Sequence, residues 1–502
     1  MKVDFKSNLA MGGSEAAPPG ATEVQTAAFA MGGSEAAPLG VTEVQAAAFA
    51  MGGSEAAPPG ATEVQAPAFI SGHRRRAIER LRLGLDRSAR VAAGTTGCLR
   101  EARIASTFAS LLMAIAIGAC ATDEAEPPST VVNAVDVPLD GLSADDITRF
   151  DDGDALFGLP FRAPDGLGPL FVRSACAACH EEGLRGAGLV QKMVVIDAAG
   201  EPAADQSALP FGHTIRRGLA AGAVNPIEPP ADVMTKVTIR IGPPVIGRGY
   251  LEAIADSEIE RVAAEQAARG DGVHGRVARI AFTSVPNPDT TFSQHYLGEP
   301  NLIGRFGLKA RIVTLDEFTA DAFQGDMGLT SPMRPDELPN PDGLVDDAKA
   351  GVDLSIDEID RITFYLRRIA IPKRVGLTPR GAQLFDAGAC SACHVPALRT
   401  RADYPIRQLA AIDAPVYSDL LLHDMGAALA DGMSDGDAAS HYWRTAPLIG
   451  MRFFRTFMHD GRAGSVEKAI LAHDGEARGA ADAFRALSTT DRGALTAFVE
   501  AL

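Results

Sequence analysis

The chain has 502 residues, 46% hydrophobic and 22% charged, with a formal net charge of -17 and six cysteines. That length is enough for two or three domains with sizeable cores. The acidic balance and the lack of a long Lys/Arg block argue against nucleic acid as a partner, and leave an acidic surface compatible with docking a basic redox protein.

Residues 11–70 are three near-identical copies of one unit, beginning "MGGSEAAPPGATEVQTAAFA". The units are rich in Ala, Gly and Pro and carry few large apolar residues. They predict disorder rather than a solenoid. Further on, Arg100 and Arg103 precede an apolar run from Thr107 to Ala119, which ends Ile117-Gly118-Ala119-Cys120. This is the layout of a signal peptide over 91–120, too short for a membrane span. Its end resembles a lipoprotein box, so Cys120 is expected to be lipidated; the alternative is a plain cut near Ala119 or Ala121. Signal peptides stand at chain starts, so Val91 or Leu99 is an expected translation start and 1–90 an extension that is disordered or not made. Residues 121–140 read as a Pro-containing tether.

The segment "SADDITRFDDGDALFGLPF" (143–161) has a capping residue and apolar positions at helical spacing. It leads to Cys176-x-x-Cys179-His180. "TPRGAQLFDAGA" (378–389) leads in the same way to Cys390-x-x-Cys393-His394. A thioredoxin-type dithiol needs a βαβ setting that neither motif has, and a zinc site needs four ligands from neighbouring clips. Two CxxCH motifs in a chain with six cysteines are the attachment pattern of two covalently bound haem c groups. In each, the thiols add to the haem vinyl groups and the adjacent His180 or His394 becomes an axial iron ligand. Haem c is ligated outside the cytoplasmic membrane, which agrees with the signal peptide: the expected location is the periplasm, as a membrane-anchored lipoprotein.

"SIDEIDRITFYLRRIAIP" (355–372) predicts an amphipathic helix stopped by Pro372. "GSVEKAILAH" predicts a helix capped by Ser465. "STTDRGALTAFVEAL" (488–502) predicts a last helix capped by Ser488 or a following Thr, with Leu495, Phe498, Val499 and Leu502 on one face. The expected fold is mainly α. It comprises an N-terminal cytochrome c-like haem domain (141–375) and a C-terminal one (376–502), joined by long loops, with the last helix packed on 378–389.

From about Phe150 to Leu502 the chain resembles the bacterial di-haem oxidoreductases, often labelled peroxidase or thiol oxidoreductase and distantly similar to the di-haem cytochrome c peroxidases. The resemblance is carried by "GLGPLFVRSACAACH" (166–180), "GYLEAIADSEI" (249–259), "LIGRFGLKA" (302–310), "GDMGLTSP" (325–332), "CSACHVPALRT" (390–400), "DLLLHDMGAALADG" (419–432), "WRTAPLIG" (443–450) and "FMHDGRAGSVEKAILAHDGEA" (457–477). It implies that His473 is the sixth ligand of the second haem, where the peroxidase cousins commonly have Met. It implies a structural or propionate-binding place for His459 and a haem-edge place for His423, with Met425 a weaker ligand there.

The chain also departs from the family. A usual Tyr-Gly-x-Gln-Leu-Gln stretch is replaced by Phe211-Gly212-His213-Thr214-Ile215-Arg216. His213 is then a sixth ligand of the first haem, a distal acid/base or a surface histidine. Arg216 and Arg217 are propionate candidates or solvated loop residues. Leu308, Ile449 and Ala472 stand where relatives often have Trp; the single Trp443 reads as haem-contacting core rather than a radical relay. "RGDGVHGR" (269–276) resembles the Asp-rich turn of a calcium loop, but only Asp271 remains as a carboxylate, which leaves calcium a doubtful cofactor. Met193, Met234 and Met327 are ligands by composition, although Met is more often core.

Two functions compete. One is an exported oxidoreductase, peroxidase-like, that receives electrons from a small redox protein and acts on peroxide or a thiol. Its proton-moving group would come from His213, His423 or Asp424. The other is a lipid-anchored electron-transfer cytochrome whose haems are both six-coordinate and which has no substrate of its own.

Overall fold

The signal for the first helix is local, and it holds. Ser143 Oγ accepts the backbone N–H of Asp146 at 3.1 Å and starts helix α1 (Ala144–Phe157), with Asp145 and Asp146 at its positive end. The structure is a computed structural model that describes residues 135–180, 189–220, 222–345 and 349–502, all inside one compact unit. The repeats of 1–90, the segment 91–120 with Cys98 and Cys120, and most of the tether lie outside the described residues. Of the described residues 35% are helical and 14% are in strands, so the fold is mainly α.

Between α1 and the later helices runs the longest ribbon, β1 (Leu189–Val195) against β2 (Thr235–Ile241), antiparallel with Leu189 opposite Ile241. Helices α2 (Arg248–Ala253), α3 (Asp256–Arg269) and α4 (Leu315–Ala322) follow; α4 runs on into a π turn, Phe323–Met327. Helix α5 (Ile356–Arg368) opens with a capping box between Ser355 and Glu358. Helix α1 lies on α5 at Gly153: a Cβ there would come within 2.4 Å of the Arg361 carbonyl oxygen. The bare backbone lets Phe150 and Phe157 reach Tyr365, with ring centroids 4.9 and 5.5 Å away.

Pro372 is not what stops α5. The helix ends at Arg368, whose carbonyl accepts Leu139 N–H at 2.9 Å, while Ala370 N–H reaches Val137 O at 2.8 Å. The chain leaves the helix to pair with residues that composition reads as the end of a tether. Val135, Asp136 and Leu139 are buried there. The lead-in segment 143–161 is likewise helical only to Phe157.

In the C-terminal part, α6 (Pro379–Ala387) is capped by Thr378, and α9 (Thr489–Glu500) by Ser488. They cross at Gly381, where a Cβ would meet Phe498 Cβ at 2.4 Å. Strands β3 (Leu422–Asp424) and β4 (Tyr442–Arg444) pair with Trp443 opposite His423. Helices α7 (Val466–Leu471), capped by Ser465, and α8 (Arg478–Ala486) precede α9. The largest apolar cluster runs from Phe150 to Ile449 and includes Leu398, Leu420 and Leu421, so packing continues across residue 376. A second cluster, with Leu384, Phe385, Phe457, Phe484 and Phe498, lies wholly after it. No helix of the described residues is long and apolar enough to cross a membrane.

A buried charge network joins the parts. Arg367 of α5 donates to Glu252 at 2.6 Å and to Asp316 of α4 at 2.7 Å. Glu252 also accepts Tyr404 Oη and Leu315 N–H, both at 2.8 Å. Burial would raise the Glu252 carboxyl, but Arg367 outweighs it and holds it low. Replacing Arg367 by Leu strands two buried carboxylates, and should cost about 3–5 kcal/mol in urea unfolding of the full chain.

Candidate functional site

Cys176–Ala178 form a tight helical turn, and His180 N–H closes it on the Cys176 carbonyl at 2.9 Å. All four CxxCH cysteines are unbridged. Burial pushes the Cys176 thiol up to about 12 and the Cys179 thiol up to about 11. A redox dithiol needs one thiol shifted the other way, so the pair is not built as a thioredoxin-type nucleophile. The His180 ring lies 6.2 Å from Phe157, which Tyr365 positions. A Cβ on Gly242, just after β2, would reach the His180 ring at 2.9 Å.

Cys176, Cys179 and His180 open on a partly enclosed cavity. Its walls are largely apolar, with Phe157, Phe306, Phe318, Phe323 and Leu366 among them. Met327, Asp326 and three arginines, Arg173, Arg248 and Arg444, also line it. Thiols, an imidazole, apolar walls and cations at one cavity fit a haem with its two carboxylates.

The second motif is arranged differently. Ala389, at φ +58, turns the chain into the Cys390–Ala392 turn. His394 Nδ1 lies 3.1 Å from the Tyr417 carbonyl, and His473 Nδ1 lies 2.8 Å from the Ala469 carbonyl. A carbonyl only accepts, so both Nδ1 atoms carry the proton and both Nε2 atoms keep a lone pair for a metal. The two ring centroids are 6.4 Å apart. Two imidazoles sharing one metal at about 2 Å each would have ring centres about 6 Å apart. Burial lowers both imidazoles, His394 to about 4, so both are neutral and ligand-competent. Tyr417 sits at φ +49, a left-handed backbone that few non-glycine residues adopt, and its ring packs on Phe385 and Phe498.

The acid/base candidates fall elsewhere. His213 Nδ1 is held by the Met193 carbonyl at 3.0 Å on the edge of β1, and His213 is not among the residues lining the His180 cavity. His423 is buried between two carboxylates, Asp419 at Nε2 (2.9 Å) and Glu476 at Nδ1 (2.7 Å). Carboxylates only accept, so both ring nitrogens are protonated. Burial pulls this imidazole down, but Asp419, Cys393 and Glu476 outweigh it and push it up to about 12. A proton held that tightly does not shuttle near neutral pH. Cys393 Sγ lies 3.8 Å from the same ring, and Cys393, Asp419 and His423 stand close enough to hold a metal ion; both ring nitrogens, however, are already taken by carboxylates. Asp424 is half-exposed, caps Gly426 N–H and lies 3.8 Å from His441. The carboxylate that lines the cavity is Asp326, which burial pushes up to about 6. It stands in the π turn after α4, a feature frequent at functional sites, and the sequence gives no sign of that turn.

Other residues are also placed. His459 stacks on Trp443 with centroids 3.8 Å apart, and its carbonyl accepts Ile241 N–H at 2.8 Å. Met193 is core and Met234 is 58% exposed. Arg217 pairs with Glu228 at 2.7 Å; Arg216 is buried and lies outside the cavity lining. Asp271 pairs with Arg269 and accepts Val273 N–H.

Each of the two motifs brings a thiol pair and a histidine together, an arrangement that fits a haem protein with two sites. Residues 231–502, more than half of the chain, match the family described as "Di-haem oxidoreductase, putative peroxidase", and the chain belongs to this oxidoreductase family. The match includes the second CxxCH motif and begins after the first. Hydrazine synthase of Kuenenia stuttgartiensis, solved under xenon pressure, is similar at 15% identity and a TM-score of 0.33, covering 80% of this chain and 99% of that one. No curated protein matches the chain.

The His423 clamp has a pH consequence. Its folded-state proton affinity lies far above the 6.5 of an ordinary histidine, so its stabilisation is complete below that value and is lost as pH rises toward about 12. The stability gap between the wild type and His423→Gln, read by urea unfolding from about pH 6 to about pH 10, should narrow steadily. A constant gap would show that His423 is not an imidazolium.

Proposed function

We propose that this chain is an exported di-haem c-type oxidoreductase, peroxidase-like, that passes electrons between two covalently bound haems. Cys176 and Cys179 would anchor the first haem and Cys390 and Cys393 the second. His180 and His394 would be the proximal ligands, with His473 opposite His394. When bound, such haems supply electron storage and, where the iron has an open position, activation of a small oxidant.

The observation that carries this reading is the asymmetry of the two sites. At the second, a pair of neutral imidazoles faces one another across 6.4 Å, placed so that both would ligate a haem iron there. At the first, no second histidine lines the cavity among the described residues. Its walls are largely apolar, and Asp326 is the carboxylate placed to hold a proton there. The proposed substrate is a peroxide or a thiol, and the electron donor or acceptor a small redox protein docking on an acidic surface. Export, periplasmic location and a lipid anchor at Cys120 belong to the same proposal; they rest on the 91–120 pattern and on the place where haem c is attached.

Met327 supports a second reading. It lines the same cavity, and a thioether ligand there would make both haems six-coordinate, as in an electron-transfer cytochrome. Low-temperature EPR of the oxidised, haem-loaded protein separates the two. The oxidoreductase should give one high-spin and one low-spin iron. Two low-spin irons, with one converted to high-spin by Met327→Ala, would favour the carrier. His473→Gly should make the second haem high-spin, and an unchanged spectrum would remove His473 as a ligand.

A further inference from the structure

Arg444 ends β4 and is 6% exposed. Its Nε donates to the Gly307 carbonyl at 3.0 Å and its Nη1 to the Thr445 carbonyl at 2.9 Å. Among the described residues no carboxylate lies within ion-pairing distance of it, and its Nη2 makes no hydrogen bond. Three comparably buried guanidiniums are compensated: Arg240 by Asp431 and Asp435, Arg305 by Asp256, and Arg367 by Glu252 and Asp316. Arg216 also lacks a carboxylate partner, but it lies outside the cavity lining.

Arg444 lines the cavity that Cys176, Cys179 and His180 share, as does its acceptor Gly307. The carboxylate that acts on it, Asp419, does so from beyond ion-pairing distance; a desolvated cation without a direct counter-ion is costly in a folded interior, and a guanidinium fork matches a carboxylate. We infer that Arg444 binds a propionate carboxylate of the haem held by Cys176, Cys179 and His180. This rests on the two-haem reading above and adds a residue from the far end of the chain to the first site. Burial lowers the guanidinium only to about 10, so it stays charged.

The placement has a further consequence. Arg444 pairs with Leu422 and its neighbour Trp443 with His423, and the His423 ring lies against Cys393. The ribbon β3–β4 thus presents a cation to the first cavity and an imidazolium to the second attachment loop. It is a positioning element common to both sites.

A cation at a propionate favours the reduced, less positive iron and so raises the potential. The experiment uses the full chain after covalent haem has been counted by intact mass and pyridine haemochrome. Absence of haem at Cys176 and Cys179 in the wild type would fail the two-haem reading itself. Given two haems, spectroelectrochemical titration of Arg444→Gln should move the first haem to a more negative potential, leave the second in place, and show most of the shift reversed in Arg444→Lys. An unmoved first potential, or equal shifts in both haems, overturns the inference. Should Arg444→Gln fail to fold or to take up haem, the propionate-bending resonance Raman band of the wild type and Arg444→Lys decides: a displaced band supports the contact, and an identical band overturns it.

Discussion

Burial of the Glu252 carboxylate is the constraint on which the rest of the fold hangs. A carboxylate in that interior must be met by a cation and by hydrogen bonds. Arg367 supplies the charge from α5, and Leu315 N–H and Tyr404 Oη take up lone pairs from α4's start and from the chain beyond residue 376. The network gains little over an apolar replacement of equal volume; its effect is geometric. It fixes α5, and α5 fixes α1 through the Gly153 contact and Tyr365. Phe157 of α1 then stands 6.2 Å from the His180 ring. The ring of His180 is therefore packed by a chain of contacts that begins at a buried ion pair, while its backbone N–H is held by Cys176 of its own motif.

The second site is governed by backbone carbonyls instead. Tyr417 and Ala469 each fix a histidine tautomer, and the left-handed backbone at Tyr417 is held by aromatic packing with Phe385 and Phe498. Two neutral, oriented imidazoles face one another here, while the first motif faces a cavity with one imidazole. The clamp of Asp419, His423 and Glu476 adds to this difference. Glu476 follows His473 by three residues and also accepts Asp424 N–H at 3.1 Å, so the turn that carries His473 is tied to the strand beside Cys393.

What the sequence made legible was local. The helix starts at Ser143, Ser355, Thr378, Ser465 and Ser488 each depend on a side chain and a backbone N–H a few residues away, and the CxxCH spacing is chemistry written in five consecutive residues. What it hid was non-local. The end of α5 is set by pairing with Val137 and Leu139, remote in sequence, so Pro372 was a reasonable but wrong reason for the stop. His423 looks like an acid/base beside "HDMG" until Asp419 and Glu476 are seen on both of its nitrogens. Asp424, adjacent in sequence, points to a surface turn. The carboxylate that does reach the cavity, Asp326, sits in a π turn for which single residues give no signal, and Arg444 is just one arginine in "WRTAPLIG" until its lack of a carboxylate partner is known.

Trp443 shows how charge placement limits what a buried aromatic residue can do. Lys309 Nζ lies 3.9 Å from its ring centroid and the Arg240 guanidinium 5.7 Å. Burial lowers the Lys309 ammonium to about 8, yet it donates to the carbonyls of Ala439, Ser440 and Tyr442, which takes all three N–H groups of the charged form. The ring face attracts these cations while the indole is neutral. Removing an electron from the indole would turn the attraction into repulsion in a low-dielectric interior. Trp443, stacked on His459 and bonded through Nε1 to the Leu429 carbonyl at 2.9 Å, is thus stabilised in its reduced form. Its environment suits a rigid spacer on the β3–β4 ribbon rather than a residue that gives up an electron.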